Sequence, residues 1–233
     1  MPFPLSRKMV RKRLLKTTAE VIRDPTMCVS KPLKLLFFLG LSYLAACAPQ
    51  DKLGRTQAEL ELLRTGYAQE PYKVHLVDRK KFNRRFWPAT VPAPVAADPG
   101  TILIDTKERS LYLIQPGGMA RRYGVAVGAS GYSWSGTATI DRKAKWPAWY
   151  PTDDMHNRTP HLPRRIEPGE HNPLGARALY LFQNGRDTLY RIHGTSEPWS
   201  IGTEASSGCI RMLNEDIIEL YDSVSIGARV IVK

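Results

Sequence analysis

Cysteine is scarce in this 233-residue chain, with three in all, too few for a disulfide scaffold. Cys28 and Cys47 lie in or beside the N-terminal apolar run, so Cys209 alone belongs to the body. A single thiol in an exported chain has no internal partner. It is a reactive group, an intermolecular bridge or a buried inert residue. Long apolar runs are scarce too: the longest, residues 33–47, has 15 residues, short of the roughly 20 that a membrane-crossing helix needs. No internal repeat or low-complexity tract is present. The intervals between His156, His161, His171 and His193 match neither His-Glu-x-x-His nor a Cys/His finger, which argues against a zinc hydrolase.

What the short apolar run does fit is the h-region of a signal peptide. Lys31 and Lys34 supply the positive flank, and Ala45, Ala46, Cys47 and Ala48 the small residues after it. Export to the periplasm is therefore expected. Leu44-Ala45-Ala46-Cys47 reads as a lipobox, which makes Cys47 the lipidation site and the lipid the membrane anchor; cleavage after Ala48 and an uncleaved anchor are the alternatives. A start at Met27 gives this signal an ordinary length, whereas a start at Met1 adds a long basic tail. Charge needs the same division. The formal net charge is +12, but residues 1–46 hold nine Lys/Arg against two Asp/Glu, leaving 25 against 20, or +5, for residues 47–233. That balance, with no recognisable binding motif, removes most of the pull towards nucleic acid. The basic and aromatic run at 80–87 suits packing of a linker or a membrane-proximal position better than single-strand binding.

Three regions follow: a signal region at 1–47, a linker and N-terminal extension at 48–99, and a catalytic domain at 100–233. The extension has a helix candidate at 55–64, and Pro88, Pro92, Pro94 and Pro99 mark a linker or an extended wrap. From Thr101 the chain turns β-rich, with strands expected at 101–105, 110–115, 121–127, 136–140, 178–182, 189–193 and 228–232. Few helices intervene, so a mostly β, mostly antiparallel sandwich or barrel is expected. One helix, 215–224 with Asn214 as N-cap, presents Ile217, Leu220, Tyr221 and Val224 on one face for packing on the sheet. Residues 142–177 are too long for an idle loop and suit a substrate-covering insertion.

Acyl transfer by cysteine needs a sulfur nucleophile, a base, and donors for the charge that develops on the attacked carbonyl. The run Ser206-Ser207-Gly208-Cys209-Ile210-Arg211 offers the first and last. Gly208 lets the backbone approach a substrate, Ser206 and Ser207 leave space, and the Gly208 and Cys209 amides are oxyanion-hole candidates. His193 closes an expected strand sixteen residues earlier, before the turn at Gly194. As the base it would depress the thiol pKa and allow an ion pair near neutral pH. No carboxylate stands at an obvious third position, which leaves a backbone carbonyl to orient the ring. Arg211 falls on the same side as Cys209 in an extended segment, and its fork suits a carboxylate.

These residues resemble the YkuD-type L,D-transpeptidases (ErfK/YbiS-like) of the bacterial cell envelope, in which His-Gly precedes Ser-His-Gly-Cys by somewhat under twenty residues. Asn172-Pro173-Leu174-Gly175 and the strand at 228–232 also look familial. Ser207 stands where the common pattern has a second histidine, so His193 serves as sole base. The resemblance implies a β-sandwich-like catalytic domain with one packed helix near the C-terminus, no metal and no organic cofactor. It implies that Cys209 attacks the third residue of a peptidoglycan stem tetrapeptide, usually diaminopimelate, expels the terminal D-alanine, and passes the acyl group to an amine. The acceptor is another stem, giving a 3-3 cross-link, or an envelope protein, giving anchorage. Gly194 would orient the ring, Gly208 would help form the oxyanion hole, and Arg211 and Ser207 would bind substrate. A non-catalytic peptidoglycan-binding lipoprotein and a peptidoglycan-cleaving cysteine peptidase of the same fold are the alternatives.

Overall fold

The computed structural model describes residue 61 and residues 65–129, 134–204 and 206–233. The expected signal region with Cys47, both candidate starts, and the helix candidate at 55–64 apart from Glu61 lie outside the described residues.

Among the described residues nine strands form one sheet. They are β1 (Ala89–Pro92), β2 (Ile102–Asp105), β3 (Ser110–Gln115), β4 (Met119–Gly124), β5 (Gly136–Lys145), β6 (Arg177–Gln183), β7 (Arg186–His193), β8 (Ile210–Arg211) and β9 (Arg229–Val232). In space they run β1-β4-β3-β2-β9-β5-β6-β7-β8, antiparallel except for the β2–β9 and β7–β8 pairs. Beyond β4 the chain curls back, and Ala126 bridges Arg211 while Gly128 bridges Ser206. The sheet thereby meets its own far edge. Helix α1 (Asp153–Arg158) lies in the long β5–β6 connection, and α2 (Asn214–Ser223) follows β8. The fold is the expected one, mostly β with one helix packed near the C-terminus.

Alternation of side chains along each strand decides which face is filled. Ile102, Ile104, Leu111, Leu113, Leu179, Leu181, Ile192, Ile210, Val230 and Val232 meet inside the curl, where Ile217, Leu220 and Val224 of α2 join them. Leu103, Tyr112 and Ile114 face the other way and pack with Val91, Ala93, Val95 and Ala97, so the proline-rich stretch is an extended wrap. Pro92 is tolerated because β1 is an edge strand, where a missing N–H breaks no ladder. Asn184 and Gly185, at φ of 52° and 72°, make the two-residue β6–β7 turn.

A register shift in β5 between Ile140 and Arg142 sets which residues reach the site. Lys143 turns inward, and its ammonium donates to the Tyr221 and Val224 carbonyls at 2.6 and 2.7 Å, capping the C-terminal end of α2. Arg142 and Ala144 consequently face outward.

The segment ahead of β1 is fastened to the sheet by buried charge. Arg177, 2% exposed, donates to both oxygens of Glu70, and Trp146 Nε1 donates to the same carboxylate at 2.6 Å. Arg79 bridges Glu215 and Asp216 at 2.8 and 2.6 Å, and the Val77 N–H donates to Glu215 at 2.8 Å. Burial pushes the Asp216 carboxyl up to about 6, with Arg79 pulling the other way.

One local expectation fails. Asn214 does not cap α2: it is the helix's first residue, preceded by Leu213, which makes no side-chain cap bond. Its amide is occupied elsewhere.

Candidate active site

Strand β7 carries His193 at its end and pairs in parallel with β8, with Ile192 opposite Ile210 and His193 opposite Arg211. Both isoleucines point into the core. By alternation Arg191, His193, Cys209 and Arg211 share the outward face, so a two-residue strand brings together groups sixteen positions apart. Cys209 is half-buried, with Sγ 3.9 Å from the Leu189 carbonyl. Leu189 has φ +64°, in a stretch of β7 where the β6–β7 register is irregular, and its N–H is held by Asp187 at 2.8 Å.

His193 is 4% exposed, with Nδ1 2.6 Å from the Gly194 carbonyl. A carbonyl only accepts, so Nδ1 carries the hydrogen and Nε2 keeps its lone pair. Burial depresses the imidazole pKa to about 4; the Gly194 hydrogen bond opposes this, and the Arg211 and Arg191 charges add to it. Burial also pushes the Cys209 thiol up, against the Arg191 backbone N–H and the Arg191 and Arg211 charges. Both shifts favour a neutral thiol and a neutral imidazole over the expected ion pair. Desolvation penalises both charged forms; at the thiol it outweighs the nearby cations, and at the imidazole the cations add to it.

The turn bearing the sulfur is held by Ser206. Its Oγ accepts from the Gly208 N–H at 3.1 Å and donates to the Cys209 carbonyl at 2.5 Å, while its backbone pairs with Val127 and Ala129. This changes the place of the Gly208 amide, an oxyanion-hole candidate in the sequence. It is satisfied inside the turn, as a buried N–H must be. Gly208 has φ +116°, a conformation that L side chains avoid. Ser207 is exposed at the surface of the turn, and Arg211 pairs with Glu197 at 2.7 Å.

Asn214 explains the neighbouring glycines. Its Oδ1 accepts from the Ala176 and Thr195 N–H groups at 2.9 and 3.2 Å, and its Nδ2 donates to the Thr195 carbonyl at 3.0 Å. A Cβ on Gly194 would lie 2.1 Å from Oδ1, and one on Gly175 2.2 Å. Asn214→Ala removes three hydrogen bonds beside His193 and is expected to lower the unfolding free energy by about 2–3 kcal/mol in a urea titration. A change within 0.5 kcal/mol would exclude this bracing role.

Within the long insertion Asn172, 1% exposed, ties a turn by donating to the Ile166 and Glu167 carbonyls and accepting from Leu174. His161 and His171 are exposed and His156 half-exposed, and none stands with His193. A cleft of about 640 Å³, lined by Trp134, Gln183, Asp187 and Tyr190 among others, opens at the β6–β7 hairpin near Leu189. Sequence reasoning missed Ser206 as a brace, Glu197, and Arg191. Arg191 was findable, since it stands two residues before His193 on the same strand face.

The YkuD family, described as the L,D-transpeptidase catalytic domain, matches residues 99–232. "Probable L,D-transpeptidase ErfK/SrfK" of Escherichia coli (strain K12) is 35% identical over 138 residues, 55% of this chain and 42% of that protein. "Probable L,D-transpeptidase YbiS" of the same strain is 42% identical over 98 residues, 40% of this chain and 30% of that protein. The chain thus spans less than half the length of these curated relatives. A solved structure from Brucella melitensis, described as a probable carnitine operon oxidoreductase, is 48% identical; the match covers 66% of this chain and 98% of that one, with a TM-score of 0.46. That description belongs to the Brucella protein, whereas the domain match and both E. coli relatives name a transpeptidase. With the domain match running over more than half of its length, the chain belongs to the YkuD family of L,D-transpeptidase catalytic domains.

Proposed function

We propose that the protein is a peptidoglycan L,D-transpeptidase with Cys209 as nucleophile and His193 as base. The observation that carries this is the Nδ1–Gly194 bond, which leaves Nε2 as the ring's acceptor on the sheet face shared with Cys209. The thiol proton passes to Nε2 as sulfur attacks the carbonyl of the third stem residue. The resulting imidazolium returns the proton to the departing D-alanine amine, and a thioester remains on Cys209. An acceptor amine then attacks the thioester carbonyl; its proton passes through His193 to the released sulfur, and an amide is formed. Because both partners rest neutral, no charged group has to be stored in a buried site before substrate arrives.

With the Gly208 amide engaged in the turn, the Cys209 amide is the backbone donor next to the sulfur. In this reading Arg211, on the sheet face of Cys209, and exposed Ser207 contact the substrate. The acceptor is a second stem or an envelope protein. The division into a signal region at 1–47, an extension at 48–99 and a catalytic domain at 100–233 belongs to the same reading, with the enzyme exported and held at the periplasmic membrane surface by lipid on Cys47.

Incubation with a carbapenem, a β-lactam that acylates nucleophilic active-site thiols, tests the assignment. One covalent adduct per chain is expected by mass spectrometry, and none on Cys209→Ala. An adduct that survives the replacement, or none on the parent, excludes Cys209.

A further inference from the structure

The outward face of β5–β8 carries two rows of residues running across the strands. Ala144 is opposite Ala178, Ala178 opposite His193, and His193 opposite Arg211. In the adjacent row Arg142 is opposite Tyr180 and Tyr180 opposite Arg191; one step before the Ile192–Ile210 pair, Arg191 is level with Cys209. The second row therefore leads from Arg142 over an aromatic ring to the sulfur.

Three guanidinium groups lie on this face, and they differ in their partners. Arg191 is locked by Asp187 at 2.6 and 2.8 Å, and Arg211 is paired with Glu197 at 2.7 Å. Arg142 is exposed and has no carboxylate partner among the described residues. What holds it is Tyr180, whose ring centroid lies 3.5 Å from the Arg142 guanidinium carbon and 4.4 Å from that of Arg191. Stacking on a π face fixes the plane of a guanidinium and leaves its N–H edge free, which is the geometry that receives a carboxylate on two donors. Three strand spacings separate Arg142 from Cys209, about 14 Å between Cα atoms, and stacking on Tyr180 carries the guanidinium one strand nearer to the sulfur. A short peptide acylating Cys209 can therefore present a side carboxylate to Arg142.

Resting on the transpeptidase reading, we propose that Arg142, stacked on Tyr180, is the subsite for a free carboxylate of the donor peptide and makes the enzyme prefer anionic stems over amidated ones. The stem offers two such groups, the α-carboxylate of its D-glutamate and the distal carboxylate of its diaminopimelate.

The test is calorimetric binding of the disaccharide tetrapeptide to full chains carrying Cys209→Ala, so that no turnover occurs. Adding Arg142→Gln is expected to weaken binding about tenfold, and Arg142→Lys, which keeps the charge but not the fork, by less. Amidating one of the two carboxylates should weaken binding to the Arg142 protein by the same factor and leave binding to Arg142→Gln unchanged; the peptide that does so identifies the carboxylate. The proposal is overturned if the peptide does not bind the Arg142 protein, or if Arg142→Gln binds within twofold of it. It is equally overturned if the Arg142→Gln loss persists with both amidated peptides. D-alanine release by the chain with Cys209 intact tests the reaction separately. Absence of release would remove the transpeptidase reading, while the binding differences would still decide the subsite.

Discussion

His193→Gln is expected to reduce kcat/KM for D-alanine release about a thousandfold, within the range for loss of a positioned general base. The pH profile of the parent enzyme gives the sharper measurement. A base must be deprotonated to work, and burial holds this imidazole at about 4 instead of 6.5. Activity should therefore persist through pH 6 and 5 and fall only as the pH drops through about 4, where Nε2 becomes protonated. On the alkaline side the thiol is pushed above its ordinary 9.0. Thiolate absorbance of the free enzyme should be absent at neutral pH and rise only in base. An acid limb near 6.5, or thiolate at pH 7, would restore the ion-pair mechanism and remove the desolvated neutral pair.

Glu70→Ala is expected to cost about 3–5 kcal/mol of stability, because it strands a buried charge. Arg177 is 2% exposed, its Nε has no hydrogen-bond partner, and without Glu70 only the Ala176 carbonyl at 2.8 Å is left to its NH1. Against a typical total of about 5–15 kcal/mol, that loss is large. Glu70→Leu combined with Arg177→Met should recover most of it, since an apolar pair removes both charges together. Urea unfolding of the single and double variants measures both; a single-variant loss below about 1 kcal/mol would mean that Arg177 finds water. The hydrogen bond from Arg177 holds the Glu70 carboxyl below its ordinary 4.5. Its contribution is accordingly complete at neutral pH and fades as the pH falls below 4.5 through the depressed value. Because the Gly194 N–H donates to the Arg177 carbonyl at 3.0 Å, the same variants report on how firmly the His193 loop is held.

Hairpin strands and the amphipathic helix were legible in the sequence because each carries its own local signal. Ser110–Gln115 is a short apolar run bounded by turn residues, Asn184-Gly185 marks a tight turn, and Ile217, Leu220 and Val224 repeat at helical spacing. Strand β8 was not legible: two residues hold no period, and its partner lies sixteen positions back in a parallel pair. Strand β1 was hidden by Pro92. Cys209 and His193 could be picked out by residue type and spacing, but their protonation states could not, since those follow from how completely the fold removes water. Asn214 was misplaced for a related reason. Its residue type predicts a cap, whereas the close approach of Gly175 and Gly194 offered its amide three better partners.

The parallel pairing of β7 with β8 has a consequence for length. A chain leaving one strand can enter a parallel neighbour only after a return path of a dozen or more residues. The sixteen-position interval between His193 and Cys209 sits just above that floor. Trp199, 71% exposed, marks where the return path bulges into solvent. The interval therefore works as a tether with a minimum length: it has room to lengthen outward at the surface, and deletions within it would pull the imidazole and the sulfur out of register.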